Sequence, residues 1–299
     1  MVLVLMASML LVAAGCRSAS NSSKASLTPV KVGSKNFTEQ LIIGEMIAQL
    51  IENQGIPVVR KMDISGIQLI HQSLVNGNID IYPEYDGTAL TAILKEPPIY
   101  NDAAILKAVQ QGYKQQFNLI WLNQAPMSDG NIFVTRPEIA AKYHLTNLAD
   151  LSKEAPNLTL AVPPEFVTRS DGLPLMQSAY GGFNFKEVKS VDAGSIRYEG
   201  LLDKDYDVTL GFGTDGQIAG YQLVPLPDVK NIWPPYHVGA VVRPWVLQTY
   251  PQLEVPLNRL FSLITNQAMM SMNWQVDGPA KMEPAAVAKE FLKNNGFIK

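Results

Sequence analysis

Between Val30 and Tyr82 the spacing of apolar residues switches repeatedly between the two-residue period of a strand and the 3.6-residue period of a helix. Val30 to Ser34 (VKVGS) reads as a short strand. Ile43, Met46, Ile47, Leu50 and Ile51 follow at the i, i+3, i+4, i+7, i+8 spacing of one buried helix face. Asn36 stands three residues before Glu39, a variant of the capping box, and Gly55 marks the stop. Next come a strand around Val58 to Ile64, a helix around Ile67 to Val75 ending near Gly77, and a strand from Ile79 to Tyr82. A βαβαβ order of this kind predicts a mainly parallel sheet with helices on its faces.

A second set of alternating elements begins after Trp121. Asn131 to Thr135, Leu158 to Val162 and Tyr206 to Phe212 read as strands, and Asp215 to Tyr221 as a short helix. From Leu253 to Gly296 the pattern is helical, broken near Asp277-Gly278-Pro279. A chain of 299 residues is long enough for two lobes, each with its own core. At 47% hydrophobic and 17% charged it is no disordered segment. With 24 basic against 27 acidic residues it builds no positive field for nucleic acid. One cysteine excludes an intrachain disulfide and a cysteine-rich metal site, and three scattered histidines leave little for zinc. No metal and no cofactor are therefore expected.

The run Met1 to Ala14 is apolar and uncharged, and too short to span a bilayer as a helix. It fits the core of an export signal, here residues 1–15. Its ending, Val12-Ala13-Ala14-Gly15-Cys16, resembles a bacterial lipoprotein cleavage box, with Cys16 as the lipidated residue. Two departures are that no Lys or Arg precedes the run, as expected if translation starts upstream of Met1, and that Ala13 stands where Leu is commoner. Residues 16–28 then form a lipidated N-terminus and flexible tether rich in Ser, Ala and Asn. No later apolar run is long enough to cross a membrane.

Gly211-Phe-Gly-Thr-Asp-Gly216 matches the G-x-G-x-x-G pattern after a strand. A dinucleotide site also needs a helix of useful length and an acid at the end of a second strand about 20 residues on. Pro225 and Pro227 interrupt too soon, so the match is discounted. There is no P-loop, no G-x-S-x-G elbow and no H-E-x-x-H. Without a nucleophile, general base or metal cluster, an enzyme is not expected.

Four segments carry a resemblance: Gly33-Ser-Lys-Asn-Phe-Thr-Glu-Gln40, Asp80-Ile-Tyr-Pro-Glu-Tyr-Asp-Gly-Thr88, Gly213-Thr-Asp-Gly216 and Pro234-Pro-Tyr236. In this order and spacing they resemble the substrate-binding proteins of osmoprotectant ABC importers, which carry glycine betaine, choline, carnitine and similar quaternary amines. The likeness runs from about Val30 to the C-terminus. It implies an α/β, two-lobed periplasmic-binding-protein fold of type II, each lobe a mainly parallel sheet flanked by helices. Lobe 1 would comprise 29–125 and 235–299, and lobe 2 residues 126–234, with crossings at Leu122 to Met127 and Val229 to Pro235. The chain would be exported, lipid-anchored at the outer face of the membrane, and partnered by the permease and ATPase subunits of an importer.

A quaternary ammonium has no N–H to donate, and its charge is spread over methyl groups. Aromatic faces attract such a cation through their quadrupoles. By the resemblance the box falls at Tyr85, Asn131, Phe212 and Tyr236, and the carboxylate-binding positions at Lys35, Thr88 and Arg169. Asn131 departs from the aromatic residue many relatives carry, and motivates the alternative of a different small solute, such as an amino acid or other zwitterion. Asp86 also departs from the Thr or Asn of some relatives; it either caps the following helix or adds negative charge near the cation. Lys35, in the turn entering the first helix, would meet an anion near free N–H groups.

Overall fold

The structure, a computed structural model, describes residues 27–168, 170–191 and 196–299, with only the backbone at 165. The export signal, Cys16 and the tether up to residue 26, and Arg169, lie outside the described residues. Ten strands occur among them: β1 (Val30–Lys35), β2 (Val58–Ile64), β3 (Ile81–Tyr85), β4 (Ile120–Ser128), β5 (Asn131–Thr135), β6 (Thr159–Val162), β7 (Glu187–Ser190), β8 (Val208–Phe212), β9 (Val224–Leu226) and β10 (His237–Val242).

They form two five-stranded sheets, β2-β1-β3-β10-β4 and β7-β6-β8-β5-β9. In each, the strands joined by helical crossovers run parallel: β1 beside β2 and β3, and β6 beside β7 and β8. The other half of each sheet is antiparallel, β10 against β3 and β4, and β5 against β8 and β9. The sheets are thus mixed where the sequence pattern alone points to mostly parallel pairing. The antiparallel strands β10 and β5 are those that enter a sheet directly from the other one, without a helical crossover in the same sheet to turn them parallel. The chain leaves the first sheet after Ser128, enters the second at Asn131, and returns between Leu226 and His237. β4 keeps Leu122 to Met127 within the first sheet.

The helix Thr38–Asn53 buries the face its sequence spacing marks. Ile43, Met46, Ile47 and Ile51 are fully buried and Leu50 nearly so, within one core that also takes in β1, β10 and the C-terminal helices Glu254–Ser262, Asn266–Asp277 and Pro284–Asn294. Its start differs from the expected capping box. Phe37 is the N-cap, and no side chain caps the helix. β1 runs on through Lys35, which moves the cap one residue beyond Asn36, and the Glu39 carboxylate turns to the Tyr85 hydroxyl. Gly55, with φ of 75°, follows the helix end as expected, in a conformation that disfavours any side chain.

A separate core fills the second sheet, around Phe133, Leu160, Val208 and Leu210. The Ile47→Ala variant is expected to lower the unfolding free energy by about 2–5 kcal/mol, because it removes fully buried methyl and methylene groups and leaves a cavity in their place. Urea unfolding followed by circular dichroism checks this; a loss below about 1 kcal/mol would show that the helix face is not held in this core.

Candidate functional site

Both sheets direct the ends of their strands to one cavity of about 620 Å³. Lys35 ends β1, Tyr85 ends β3 and Phe212 ends β8, while Asn131 opens β5. Carboxyl ends of parallel strands, where helices begin and the main chain turns, are the usual place for a site in an α/β sheet. Strand register then sets the pairs. Val238 lies opposite Tyr85, which draws the preceding Tyr236 to the end of β3, and Asn131 lies opposite Phe212.

Lys35, Tyr85, Thr88, Asn131, Phe212 and Tyr236 all line this cavity. The sequence motifs therefore mark side chains that the fold brings together, with Arg169 outside the described residues. Tyr85 is almost wholly buried, its hydroxyl donating to Glu39, and its ring stacks on Phe37 with centroids 6.3 Å apart at 17°. Tyr236 is close to the turn after β3: a Cβ at Gly87 would stand 2.9 Å from its ring and 2.6 Å from the Pro235 oxygen. Only glycine leaves that approach open. Phe212 is 37% exposed and Tyr236 is half-buried.

The charges in the lining are mostly engaged. Lys35 forms a buried ion pair with Glu84, and its ammonium stands 4.9 Å from the Tyr85 ring centre. Glu84 also accepts from the Tyr82 hydroxyl at 3.0 Å and the Tyr85 N–H at 2.7 Å. Burial pushes the Glu39 and Asp129 carboxyls above their ordinary values. Negative neighbours add to the shift, Asp215 for Glu39, and Glu39 and Asp215 for Asp129. Asp129 accepts from the Thr214 hydroxyl at 2.6 Å.

The lining residues that sequence reasoning did not assign to the site include Phe37, Asp129, Arg197 and Trp233. Phe37 and Asp129 adjoin residues already singled out, and Trp233 precedes Pro234, so proximity to the motifs was an available signal. Arg197 had none. It comes from the helix Ile196–Leu202, is 3% exposed, and gives one nitrogen, Nη2, to Asp215 at 2.6 Å. Its Nε and Nη1 have no hydrogen-bond partner among the described residues. Each unmet buried donor of this kind costs about 1–3 kcal/mol. No group of three or more His, Cys, Asp or Glu among the described residues is placed to hold a metal ion.

The profile of the family described as the substrate-binding domain of ABC-type glycine betaine transport systems matches residues 28–294. The chain belongs to this family. It is 32% identical over 272 residues to the carnitine transport binding protein OpuCC of Listeria monocytogenes, covering 90% of this chain and 87% of that protein. It is 33% identical over 290 residues to the glycine betaine-binding protein YehZ of Escherichia coli (strain K12), covering 91% and 92%. The crystal structure of a glycine betaine/carnitine/choline ABC transporter superposes with a TM-score of 0.86 at 34% identity, over 90% of this chain and all of that one. The fold is accordingly that of type II periplasmic binding proteins, and the chain is a substrate-binding protein of an ABC transporter rather than an enzyme. Members of the family work outside the cytoplasm with the membrane components of the transporter. No helix among the described residues is long and apolar enough to cross a membrane.

Asp86, the departure within the β3 turn, does not cap a helix end with its side chain in the expected way. It is fully buried, and its Oδ1 accepts from the backbone N–H groups of Gly87 at 2.7 Å and His237 at 2.8 Å, pinning β3 to the returning chain. Its Oδ2 has no hydrogen-bond partner among the described residues. Burial pushes this carboxyl up to about 7, against the opposing pull of His237. A carboxyl raised in the folded state binds its proton more tightly there than in the unfolded chain. Its stabilising contribution is therefore complete below about pH 4 and lost as pH rises toward 7. Asp86→Asn, which retains the Oδ1 acceptor, is expected to flatten the fall in urea midpoint between pH 4 and 7. An unchanged pH profile would contradict the assignment.

Proposed function

We propose that this protein is an exported lipoprotein that captures a quaternary-amine osmoprotectant, such as glycine betaine, choline or carnitine, in the cavity between its two lobes. It then delivers the solute to the permease and ATPase of an importer. The observation that carries the reading is the convergence of Tyr85, Phe212 and Tyr236 on one cavity. Three aromatic faces are what a methyl-shrouded cation requires, each contact contributing roughly 0.5–2 kcal/mol. Phe37, stacked on Tyr85, extends the aromatic wall.

In this reading Asn131 completes the box with a polar side chain, and Thr88, Lys35 and Arg169 face the anionic end. Lys35 shares its charge with Glu84, so it serves the site as part of a neutral pair that orients the end of β3. The two lobes, one built on each sheet, close on the ligand by a hinge where the chain crosses between them, after Ser128 and between Leu226 and His237. Cys16 carries the lipid that holds the protein at the outer face of the membrane. The OpuCC and YehZ relatives, named for carnitine and glycine betaine, favour a quaternary amine over the alternative of another amino acid or zwitterion suggested by Asn131.

Titration calorimetry against glycine betaine, choline, carnitine, proline betaine and ergothioneine tests the substrate class. At least one is expected to bind, and Tyr236→Leu is expected to weaken that binding by roughly two- to thirtyfold with the fold intact. Silence across the panel would remove quaternary amines as the ligand class.

A further inference from the structure

Asn131 leaves the main cavity without an aromatic face on one side, and the fold holds an unengaged ring in the same place. Asn131 lines both that cavity and an adjoining chamber of about 300 Å³. Among the described residues, Trp233 and Tyr100 are the tryptophan and tyrosine that line both as well. Trp233 is buried and committed: it stacks on Phe133 with centroids 6.3 Å apart and donates its indole N–H to the Asp171 backbone oxygen at 2.8 Å. Tyr100 is 50% exposed, and no hydrogen bond, ion pair or ring contact among the described residues holds its side chain. Its backbone, by contrast, is fixed. Pro97 and Pro98 restrict the chain before it. Asn101, after it, accepts from the Ala104 N–H at 2.9 Å and caps the helix Asp102–Phe117. A free ring on a stiff mount costs little to recruit, because a tyrosine has few side-chain torsions to fix.

We propose that Tyr100 is the fourth aromatic wall of the site, its ring closing over the cationic head of the ligand on the side where Asn131 offers no π face. This rests on the quaternary-amine reading of the cavity. Tyr85 and Phe212 approach the head from the ends of β3 and β8, and Tyr236 from the strap that returns to the first sheet. Asn131, opposite Phe212 in the pairing of β5 with β8, leaves the neighbouring side polar. Tyr100 lies between the helical turn Ala89–Ile93 and the helix Asp102–Phe117, whose Ile105, Val109 and Tyr113 pack with Trp121 of β4. The ring is therefore carried by the first sheet and the gap by the second, and closure of the lobes brings the two together. An electron-rich face that meets the ligand on closure adds affinity for the cation and favours the closed form. The wall that Asn131 lacks is thus supplied from a different part of the chain, which lets the site keep a polar group beside the head without giving up the pull of a fourth ring.

Calorimetry on the wild type, Tyr100→Leu and Tyr100→Phe tests this, with whichever of glycine betaine, choline and carnitine the wild type binds. Tyr100→Leu is expected to lose roughly three- to thirtyfold in affinity, by a similar factor for each ligand because all three share the trimethylammonium head. Tyr100→Phe, which keeps the ring, is expected to stay within about twofold of the wild type. No loss in Tyr100→Leu, or an equal loss in both variants, would overturn the proposal. The place where the ring acts is read by repeating Tyr100→Leu in an Asn131→Tyr background. There the introduced ring fills the gap, and the loss is expected to shrink to below about twofold. An undiminished loss would show that Tyr100 acts elsewhere and would overturn its assignment to the fourth wall. Tyr100 is exposed, so its own variants are expected to fold, and they decide alone should the Asn131→Tyr background not fold. A wild type that binds none of the three ligands overturns the quaternary-amine reading and the proposal with it, whereas binding that Tyr100→Leu leaves intact overturns the proposal alone.

Discussion

The antiparallel seam between β3 and β10 is the contact on which the rest of the molecule depends. Five residue pairs, from Val238 opposite Tyr85 to Val242 opposite Ile81, return the chain to the first sheet after its excursion through the second. That seam lets a single polypeptide build two sheets of matching strand order. It also fixes the end of β3 against the strap Pro234 to Tyr236, so the two tyrosines reach one cavity by backbone register rather than by side-chain chance. Asp86 reinforces the join by accepting from the His237 N–H, and Gly87 leaves the clearance that the Tyr236 ring needs. The same device recurs in the second sheet, where the pairing of β5 with β8 places Asn131 beside Phe212.

Around these rings the protein keeps its charges buried and compensated. Lys35 with Glu84 and Arg197 with Asp215 are ion pairs contributed by neighbouring elements of the same sheet or lobe. Removing one partner from such a pair strands the other, at a cost of about 3–5 kcal/mol. Such pairs therefore do more to fix geometry than to add stability. Fixed geometry suits a binding site for a molecule that is itself internally neutral. On the proposed function, a zwitterionic guest would not have to pull these ions apart on arrival. Uncompensated charge in the cavity would instead hold water tightly and raise the cost of displacing it.

Much of this architecture was legible in the sequence. The helix Thr38–Asn53 stands where its apolar spacing places it, because one face of five aliphatic residues has no other way to leave water. β3 was less legible: the expected strand from Ile79 to Tyr82 becomes Ile81–Tyr85. Pro83 argues against a central strand, but the pairing with β1 stops at Ile81, so beyond that point the missing N–H has a side without a partner to lose. The cavity-lining residues Lys35, Tyr85, Thr88, Asn131, Phe212 and Tyr236 were readable from motifs of family character. Arg197 was not, because its place in the lining comes from a tertiary arrangement: a side chain from a short helix laid across the end of a strand, with Asp215 arriving from a separate turn. The Lys35–Glu84 pair lay between the two. Both residues sit in singled-out motifs, and only the adjacency of β1 and β3 reveals that they meet.

The central claim is that these aromatic faces surround a cation in the cavity. A crystal structure of the protein grown with glycine betaine or carnitine measures it most directly. The account expects the quaternary nitrogen within about 6 Å of the ring centres of Tyr85, Phe212 and Tyr236 at once. A ligand seated elsewhere, or held with its trimethylammonium group turned away from all three rings, would contradict it.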